Sequence, residues 1–289
     1  MTRIAYLGPE GTFTEAALRG MVEARVVPLA EFEWFPATSP AAALEMVRSA
    51  EAAFACVPIE NSIDGSVLPT LDSLATGSPL QIFAEHELDI AFTIAVRRGV
   101  TDPATIAAFP VARRQVEKWV AKHLPDAEFH PADSNAAAAV DVANGHADAA
   151  VTTPLAAQRH DLDVLAAGVV DEPNARTRFV LAGPVGPPPP PTDADRTSVV
   201  LRIDNVPGAL ASALAEFAVR DIGLTRIESR PTRTELGTYI FFLDCIGHVD
   251  DPPVAEALEA LVERCADVRY LGSWPTGEGG PKQPREGIE

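Results

Sequence analysis

Five consecutive prolines, from Pro187 to Pro191, constrain this chain of 289 residues more than any other feature. Proline has no backbone N–H and holds φ near about −65°, so such a run cannot continue a helix or a central strand. It predicts a stiff spacer, which we place at residues 184–195. We therefore expect one folded unit at residues 1–183 and another at 196–274. Residues 275–289 are rich in Gly, Pro and charge, and we expect this tail to be disordered.

The unit before the spacer alternates apolar segments with alanine-rich segments of helical pattern. We expect strands at residues 3–8, 52–58, 147–152 and 177–181, and helices at 14–23, from 40 onward, at 113–123 and at 134–144. This alternation predicts an α/β fold with a mostly parallel sheet. Because apolar strands near residues 83–96 could cross between two halves, we expect two lobes around a cleft, an arrangement like that of periplasmic binding proteins.

The unit after the spacer has a different order of elements. Strand patterns at 198–203, 225–229, 238–245 and 268–271 and helix patterns at 208–219 and 254–265 give the order βαββαβ. This order is typical of the ferredoxin-like fold.

Charge and cysteine usage exclude several functions. A net charge of −18 argues against nucleic acid or an anionic membrane surface as a partner. The sequence shows neither a secretory signal nor an apolar run of about 18 residues, so we expect a cytoplasmic protein. Cys56, Cys245 and Cys265 are too scattered for a zinc cluster, and the six histidines have no ligand spacing, so we expect no metal.

Ligands of open α/β sheets bind where strands end and helices begin, and three segments have that design. The first, GPEGTFT at residues 8–14, could be an ordinary turn or could form an anion site with its free N–H groups and Thr12. The second, VPIENSIDGSV at residues 57–67, places polar side chains after a buried strand. There Ser62 could cap the turn or contact a ligand, and Glu60 could transfer a proton if burial kept it protonated.

The third segment, DEPNARTRF at residues 171–179, contains two arginines in an otherwise acidic chain. Arg176 could pair with acidic side chains at the surface. Arg178 has the fork geometry that binds a carboxylate through two hydrogen bonds.

GPEGTFT, VPIENSIDGSV and NARTRF together resemble three signatures of the prephenate dehydratase family, in order and spacing. The resemblance implies loss of carbon dioxide and water from prephenate to give phenylpyruvate, a step of phenylalanine biosynthesis, without an organic cofactor. It implies a catalytic set of Thr177, Glu60 and Asn61. It also implies a substrate-binding set of Thr12, Ser62, Gln115, Asn174, Arg178 and Phe179.

The chain departs from the family pattern between its second and third signatures. Many members have His-Pro-Gln and then another Gln, whereas this chain reads Phe109-Pro110-Val111 and keeps only the later Gln115. The missing His and Gln therefore cannot be essential here.

Hydroxide is a poor leaving group, so the reaction needs a group that polarises the ring hydroxyl. The resemblance gives this polarising role to Thr177, and Glu60 could be the proton source if burial keeps it protonated. We expect the side-chain carboxylate of prephenate at Arg178 or at a helix N-terminus. The ring carboxylate loses its charge as it leaves, so we expect it near Asn61, Ser62 or Gln115, away from cations.

The second unit resembles the ACT domain that follows the catalytic region in this family. The resemblance implies a phenylalanine site formed by Asn205, Gly208, Ala209, Leu210, Glu228, Ser229, Arg230 and Pro231. ACT units usually pair side by side, so we expect a homodimer or homotetramer that phenylalanine inhibits.

Three alternatives stay open at this point. An arogenate dehydratase would perform the same chemistry on the amino form of the substrate. A solute-binding protein would also have two lobes around a cleft, and a regulatory ACT protein would bind an amino acid without catalysis.

Overall fold

A computed structural model of the chain describes residues 2–24, 32–232 and 238–276. The first lobe is formed by β1 (Thr2–Leu7), α1 (Phe13–Glu23), β2 (Phe32–Ala37), α2 (Pro40–Arg48), β3 (Phe54–Asn61), β4 (Gly65–Ser66), α3 (Leu68–Ala75) and β5 (Leu80–Asp89). The second lobe is formed by β6 (Phe92–Val96), β7 (Thr105–Ala108), α4 (Pro110–His123), β8 (Glu128–Pro131), α5 (Asn135–Ala143), β9 (Ala149–Thr152), α6 (Pro154–Arg159) and β10 (Asp163–Val169). The chain then returns to the first lobe as β11 (Arg176–Pro184).

The sheet of the first lobe has the order β2-β1-β3-β11-β5, with β4 beside β3, and the sheet of the second lobe has the order β10-β6-β9-β7-β8. The chain therefore crosses between the lobes twice, from β5 to β6 and from β10 to β11, and the two-lobed α/β prediction is confirmed. The prediction of a mostly parallel sheet is wrong. Strand β1 runs parallel to β2 and β3, but β11 is antiparallel to both β3 and β5 because it returns from the opposite lobe.

Serine side chains cap the N-termini of two helices. Ser39 caps α2 by accepting a hydrogen bond from the Ala42 N–H at 3.1 Å, and Pro40 occupies the first helical position. Ser134 caps α5 in the same way, with the Ala137 N–H at 2.9 Å. These caps place helix N-termini beside the ends of the strands.

The C-terminal unit is formed by β12 (Asp195–Arg202), α7 (Ala209–Ala218), β13 (Leu224–Pro231), β14 (Tyr239–Ile246), α8 (Pro252–Arg264) and β15 (Asp267–Pro275). Its sheet has the order β13-β14-β12-β15, so the βαββαβ prediction of a ferredoxin-like fold is confirmed. The predicted disordered tail lies, from residue 277 onward, outside the described residues, whereas Pro275 is the last residue of β15.

The sheet of the C-terminal unit packs directly against the first lobe. Phe242, Leu271 and Trp274 share a buried apolar cluster with Ile82 and Val180 of that lobe. At Gly272 an added Cβ would lie 2.3 Å from the carbonyl oxygen of Ile82, so only glycine permits this approach of β15 to β5. The C-terminal unit and the first lobe thus share a buried apolar interface.

In the described part of the chain, no helix is both long enough and apolar enough to cross a membrane.

Candidate active site

A cleft of about 1090 Å³ opens between the two lobes. Helix N-termini from both lobes face it, including those of α1, α3, α4 and α5. Much of its wall is apolar, with Phe13, Phe92, Phe109 and Phe179 among the lining residues. A cleft of this kind suits a small molecule with an apolar ring and a few polar groups.

The strand pair β3/β11 forms one wall of this cleft and presents two different faces. Thr177 pairs with Asn61, and the next residue, Arg178, pairs with Glu60. Because successive side chains of a strand point to opposite faces, Thr177 and Asn61 share the cleft face while Arg178 and Glu60 share the other.

Thr177 and Asn61 form the polar centre of the cleft face. The Asn61 Nδ2 donates to Thr177 Oγ1 at 2.8 Å. The Asn61 Oδ1 accepts from the backbone N–H groups of Ile63 at 2.8 Å and Asp64 at 2.9 Å, which determines the orientation of the amide. Since Thr177 Oγ1 already accepts a hydrogen bond from Asn61, its own O–H is available to donate to a ligand.

Three further predicted residues line the cleft. Thr12 caps α1, and its hydroxyl donates to the Leu7 carbonyl at 3.0 Å. Phe179 lies two residues beyond Thr177 and therefore returns to the same face of β11. Gln115, on α4, brings a buried amide from the second lobe. The structure thus brings together Thr12, Asn61, Gln115, Thr177 and Phe179 from both lobes.

The expected role of Arg178 as a carboxylate ligand needs correction. Its side chain is only 5% exposed and does not line the cleft. The guanidinium binds Asp244 at 2.7 Å, Glu60 at 2.8 Å and Glu85 at 3.2 Å. Arg178 therefore joins β11 to the C-terminal unit through Asp244.

Glu60 needs the same correction as a proton source. It lies on the face of β3 opposite Thr177, its side chain is 40% exposed, and its carboxylate is engaged by Arg178. The condition set for proton transfer, burial beside the reacting group, is not met.

Ser62 and Asn174 also lie outside the cleft lining. The Ser62 hydroxyl donates to the Asn174 carbonyl and accepts from the Arg176 N–H, both at 2.9 Å. Ser62 thus connects the turn after β3 to the start of β11, which is the turn-forming alternative. The Arg176 side chain pairs at the surface with Asp89 and Glu87.

A charge cluster surrounds Arg178 on the face of β11 opposite the cleft. It is defined here as Glu60, Glu85, Arg178, Arg196, Arg226 and Asp244. Asp244 is fully buried and accepts two hydrogen bonds of 2.9 Å from Arg226. Burial by itself would raise the pKa of Asp244, but the guanidinium groups of Arg226 and Arg178 outweigh it and hold this pKa well below its usual range. Burial would likewise lower the pKa of Arg178, but Asp244, Glu85 and Glu60 raise it.

Sequence reasoning missed several polar residues of the cleft, namely Thr38, Asp64, Asp133, Ser134 and Asn135. Most follow strands and precede helices, and this position is the signal that could have identified them. Among the described residues that line the cleft, none is Lys, Arg or His. Within the same part of the chain, no cluster of three His, Cys, Asp or Glu side chains could hold a metal ion.

The residues expected to bind an effector lie at one end of the C-terminal sheet. Arg202 at the end of β12 and Arg230 near the end of β13 both pair with Ile240 of β14. The two strands therefore end together, about 10 Å apart on either side of β14. The exposed turn containing Asn205 leads into α7, and its Gly208 has a φ of +84° that favours glycine.

Glu228 and Arg230, at this end of the sheet, bind polar side chains of the first lobe. Ser66, on β4 and in the cleft lining, donates to the Glu228 carboxylate at 3.2 Å. Arg230 binds both carboxylate oxygens of Asp72 on α3, at 2.8 and 3.0 Å. This end of the sheet is thus connected to the cleft wall through β4 and α3.

Comparison with known proteins agrees with this architecture. The family model described as "Prephenate dehydratase" matches residues 4–185, and that of the "ACT domain" matches residues 197–263. The chain is 67% identical to a prephenate dehydratase of Mycolicibacterium vanbaalenii, covering 96% of this chain and 92% of that protein. It is 65% identical to the prephenate dehydratase of Mycobacterium tuberculosis strain H37Rv, covering 98% and 90%.

A solved structure extends the similarity to three dimensions. The prephenate dehydratase of Arthrobacter aurescens in complex with L-Phe is 42% identical and superposes with a TM-score of 0.88, covering 97% of this chain and 92% of that one. The chain therefore belongs to the prephenate dehydratase family of lyases and has an ACT domain after its two-lobed region.

Proposed function

We propose that this chain converts prephenate into phenylpyruvate, carbon dioxide and water in the cleft between its lobes. The observation that carries this proposal is the 2.8 Å hydrogen bond from Asn61 to Thr177 Oγ1 in a cleft whose lining is largely apolar. It leaves the Thr177 O–H as a donor that can reach a leaving hydroxyl group.

Thr177 assists by polarisation rather than by full proton transfer, so the ring hydroxyl group leaves as hydroxide and takes up a proton from solvent to form the water product. The Thr177 hydroxyl has too high a pKa to act as an acid, but a hydrogen bond that strengthens as charge develops on the leaving oxygen lowers the barrier. Aromatisation of the ring supplies the driving force. Asn61 contributes by fixing the direction of the Thr177 O–H.

The substrate carboxylates require a different explanation from the one expected for Arg178. Because no Lys, Arg or His side chain is found among the described residues of the cleft lining, we propose that helix N-termini facing the cleft, such as that of α1, bind the side-chain carboxylate. The ring carboxylate would face the apolar wall. A wall that does not stabilise its charge does not oppose its loss.

A direct assay tests the proposed function. Purified protein is mixed with prephenate, and the appearance of phenylpyruvate is followed by its absorbance. We expect saturable turnover in buffer treated with a chelator. Absence of phenylpyruvate formation would refute the function, and a parallel assay with arogenate would show which form of the substrate is preferred.

We further propose that L-phenylalanine inhibits the enzyme by binding at the sheet end that contains residues 205–210 and 228–231. The A. aurescens relative was solved in complex with L-Phe, which supports an effector site in this family. The contacts of Glu228 with Ser66 and of Arg230 with Asp72 would transmit binding to the cleft wall. Inhibition requires that phenylalanine bind the less active arrangement more tightly.

Asp72→Ala tests this route, because Asp72 lies on α3 of the first lobe, outside the proposed phenylalanine site. Removing its contact with Arg230 should weaken the coupling of that site to the cleft wall and raise the half-inhibitory concentration of phenylalanine about tenfold, since coupling free energies typically correspond to factors of about 5–150. Steady-state rates at increasing phenylalanine measure the effect. Arg264→Ala is the control, because Arg264 pairs with Glu216 within the C-terminal unit. Equal inhibition of Asp72→Ala and wild type would contradict the route.

We propose that the two functions are separated by the proline spacer: residues 1–183 form the lyase unit and residues 196–274 form the sensing unit. We also propose at least a homodimer, formed through paired ACT units, with a homotetramer as the larger alternative. Light scattering measures this state, and a monomer at micromolar concentration would contradict it.

A further inference from the structure

Asp64 links the two lobes at the cleft although it belongs to none of the residue sets assigned above. It lies in the turn between β3 and β4 of the first lobe. Its carboxylate accepts from Gln115 Nε2 and from Arg114 Nη2, each at 3.3 Å, and both partners are on α4 of the second lobe.

The turn that presents Asp64 is attached to the polar centre of the cleft. The Asn61 amide binds Thr177 through Nδ2 and the Asp64 backbone N–H through Oδ1. Gly65, with a φ of +80°, completes the turn. A continuous set of hydrogen bonds therefore runs from Thr177 through Asn61 and Asp64 to Gln115.

Asp64 also determines the orientation of the Gln115 amide. A carboxylate only accepts hydrogen bonds, so the NH₂ group of Gln115 must face it. The Gln115 side chain is 5% exposed, and in the described part of the chain its Oε1 atom has no hydrogen-bond partner. A buried carbonyl oxygen without a partner is costly, and a ligand that donates a hydrogen bond would satisfy it.

The chemistry of the substrate identifies that donor. Prephenate has two ionised carboxylates, a keto group and a ring hydroxyl, so the hydroxyl is its one hydrogen-bond donor. Because Gln115 lines the cleft, its amide oxygen can pair with bound prephenate only through the hydroxyl that leaves in the reaction.

We propose that Asp64 is a positioning residue of the lyase centre, which holds Gln115 so that its Oε1 accepts a hydrogen bond from the ring hydroxyl. That bond directs a lone pair of the hydroxyl oxygen toward the Thr177 O–H. The inference rests on the proposed function and deepens it, because it specifies how the leaving group is oriented between the two lobes.

Three variants of the full-length chain test the inference. Asp64→Ala frees the Gln115 amide, and we expect kcat/KM for prephenate to fall at least tenfold. Asp64→Asn keeps an oxygen that accepts from Gln115 Nε2, and we expect it to restore kcat/KM to within about threefold of wild type. Arg114→Ala removes only the exposed ion pair, and we expect a change of less than about threefold.

Binding of the product provides a second readout. Phenylpyruvate has no ring hydroxyl, so its inhibition constant should be the same for wild type and Asp64→Ala. A purely structural disturbance of the cleft would weaken product binding and turnover together.

Failure of the Asp64 inference can be distinguished from failure of the proposed function. Unchanged kinetics of Asp64→Ala would overturn the inference, as would an Asp64→Asn variant as impaired as Asp64→Ala, because the charge rather than the hydrogen bond would then matter. A wild-type protein inactive on prephenate would instead remove the proposed function itself.

Discussion

Thr177→Ala should lower kcat for prephenate by a factor of about 100 or more while changing KM comparatively little. The substitution removes the O–H donor next to the leaving group, and assistance of this kind is typically worth about 10²–10⁴ in rate. Because the hydrogen bond strengthens mainly in the transition state, its loss appears in kcat rather than in KM. Initial rates of phenylpyruvate formation over a range of prephenate concentrations measure both constants.

Thr177→Ser is the matched control for that experiment. Serine keeps a hydroxyl that can accept from Asn61 Nδ2 and donate to the substrate, so it should retain most of the activity that alanine loses. Thr177 is 7% exposed, and its removal leaves Asn61 Nδ2 without its present acceptor. Unfolding curves of both variants therefore accompany the kinetics. A Thr177→Ala enzyme with wild-type kcat would exclude Thr177 from the chemistry.

Asp244→Asn should reduce the free energy of unfolding by about 3–5 kcal/mol. Asp244 is fully buried and compensates the guanidinium groups of Arg178 and Arg226, so loss of its charge removes the carboxylate that binds Arg226 and leaves Arg178 with only Glu60 and Glu85. Urea unfolding at neutral pH measures the change. Glu256→Gln is the control, because that carboxylate is 65% exposed and lies 3.6 Å from Arg220. It should leave the unfolding midpoint almost unchanged.

The pH dependence of this difference follows from the direction of the shift. The pKa of Asp244 is lower in the folded than in the unfolded protein, so its stabilisation is complete above the unfolded value of about 3.9 and is lost as the pH falls through the folded value. The difference between wild type and Asp244→Asn should therefore be constant between about pH 5 and 8 and should narrow in stronger acid. An Asp244→Asn protein as stable as wild type would contradict a structural role for the cluster.

Local patterns predicted most of the elements but not their directions. The proline run lies between β11, which ends at Pro184, and β12, which begins at Asp195. Ser39 and Ser134 indicated helix starts, because capping depends on residues three positions apart. Strand direction was mispredicted for the first lobe, since the insertion of β11 between β3 and β5 depends on a return from the second lobe that no local pattern records.

Local patterns likewise predicted only some of the site residues correctly, because the others depend on contacts between distant parts of the chain. Thr177 and Phe179 were predicted to face a ligand, and the alternation of strand side chains shows why Arg178 between them cannot share their face. That conclusion was available from the sequence. The partner of Arg178 was not, because Asp244 lies 66 residues further along the chain in another folded unit. Ser62 could be interpreted either as a turn residue or as a ligand contact until its bonds to Asn174 and Arg176 were known.

A crystal structure with an unreactive prephenate analogue that keeps the ring hydroxyl would test most directly whether the chemistry occurs on the Thr177 face of β11. We expect the hydroxyl oxygen within about 3.5 Å of Thr177 Oγ1, with Arg178 still bound to Asp244. A ligand carboxylate bound to Arg178, or a ring bound away from Thr177 and Asn61, would contradict this placement of the lyase centre.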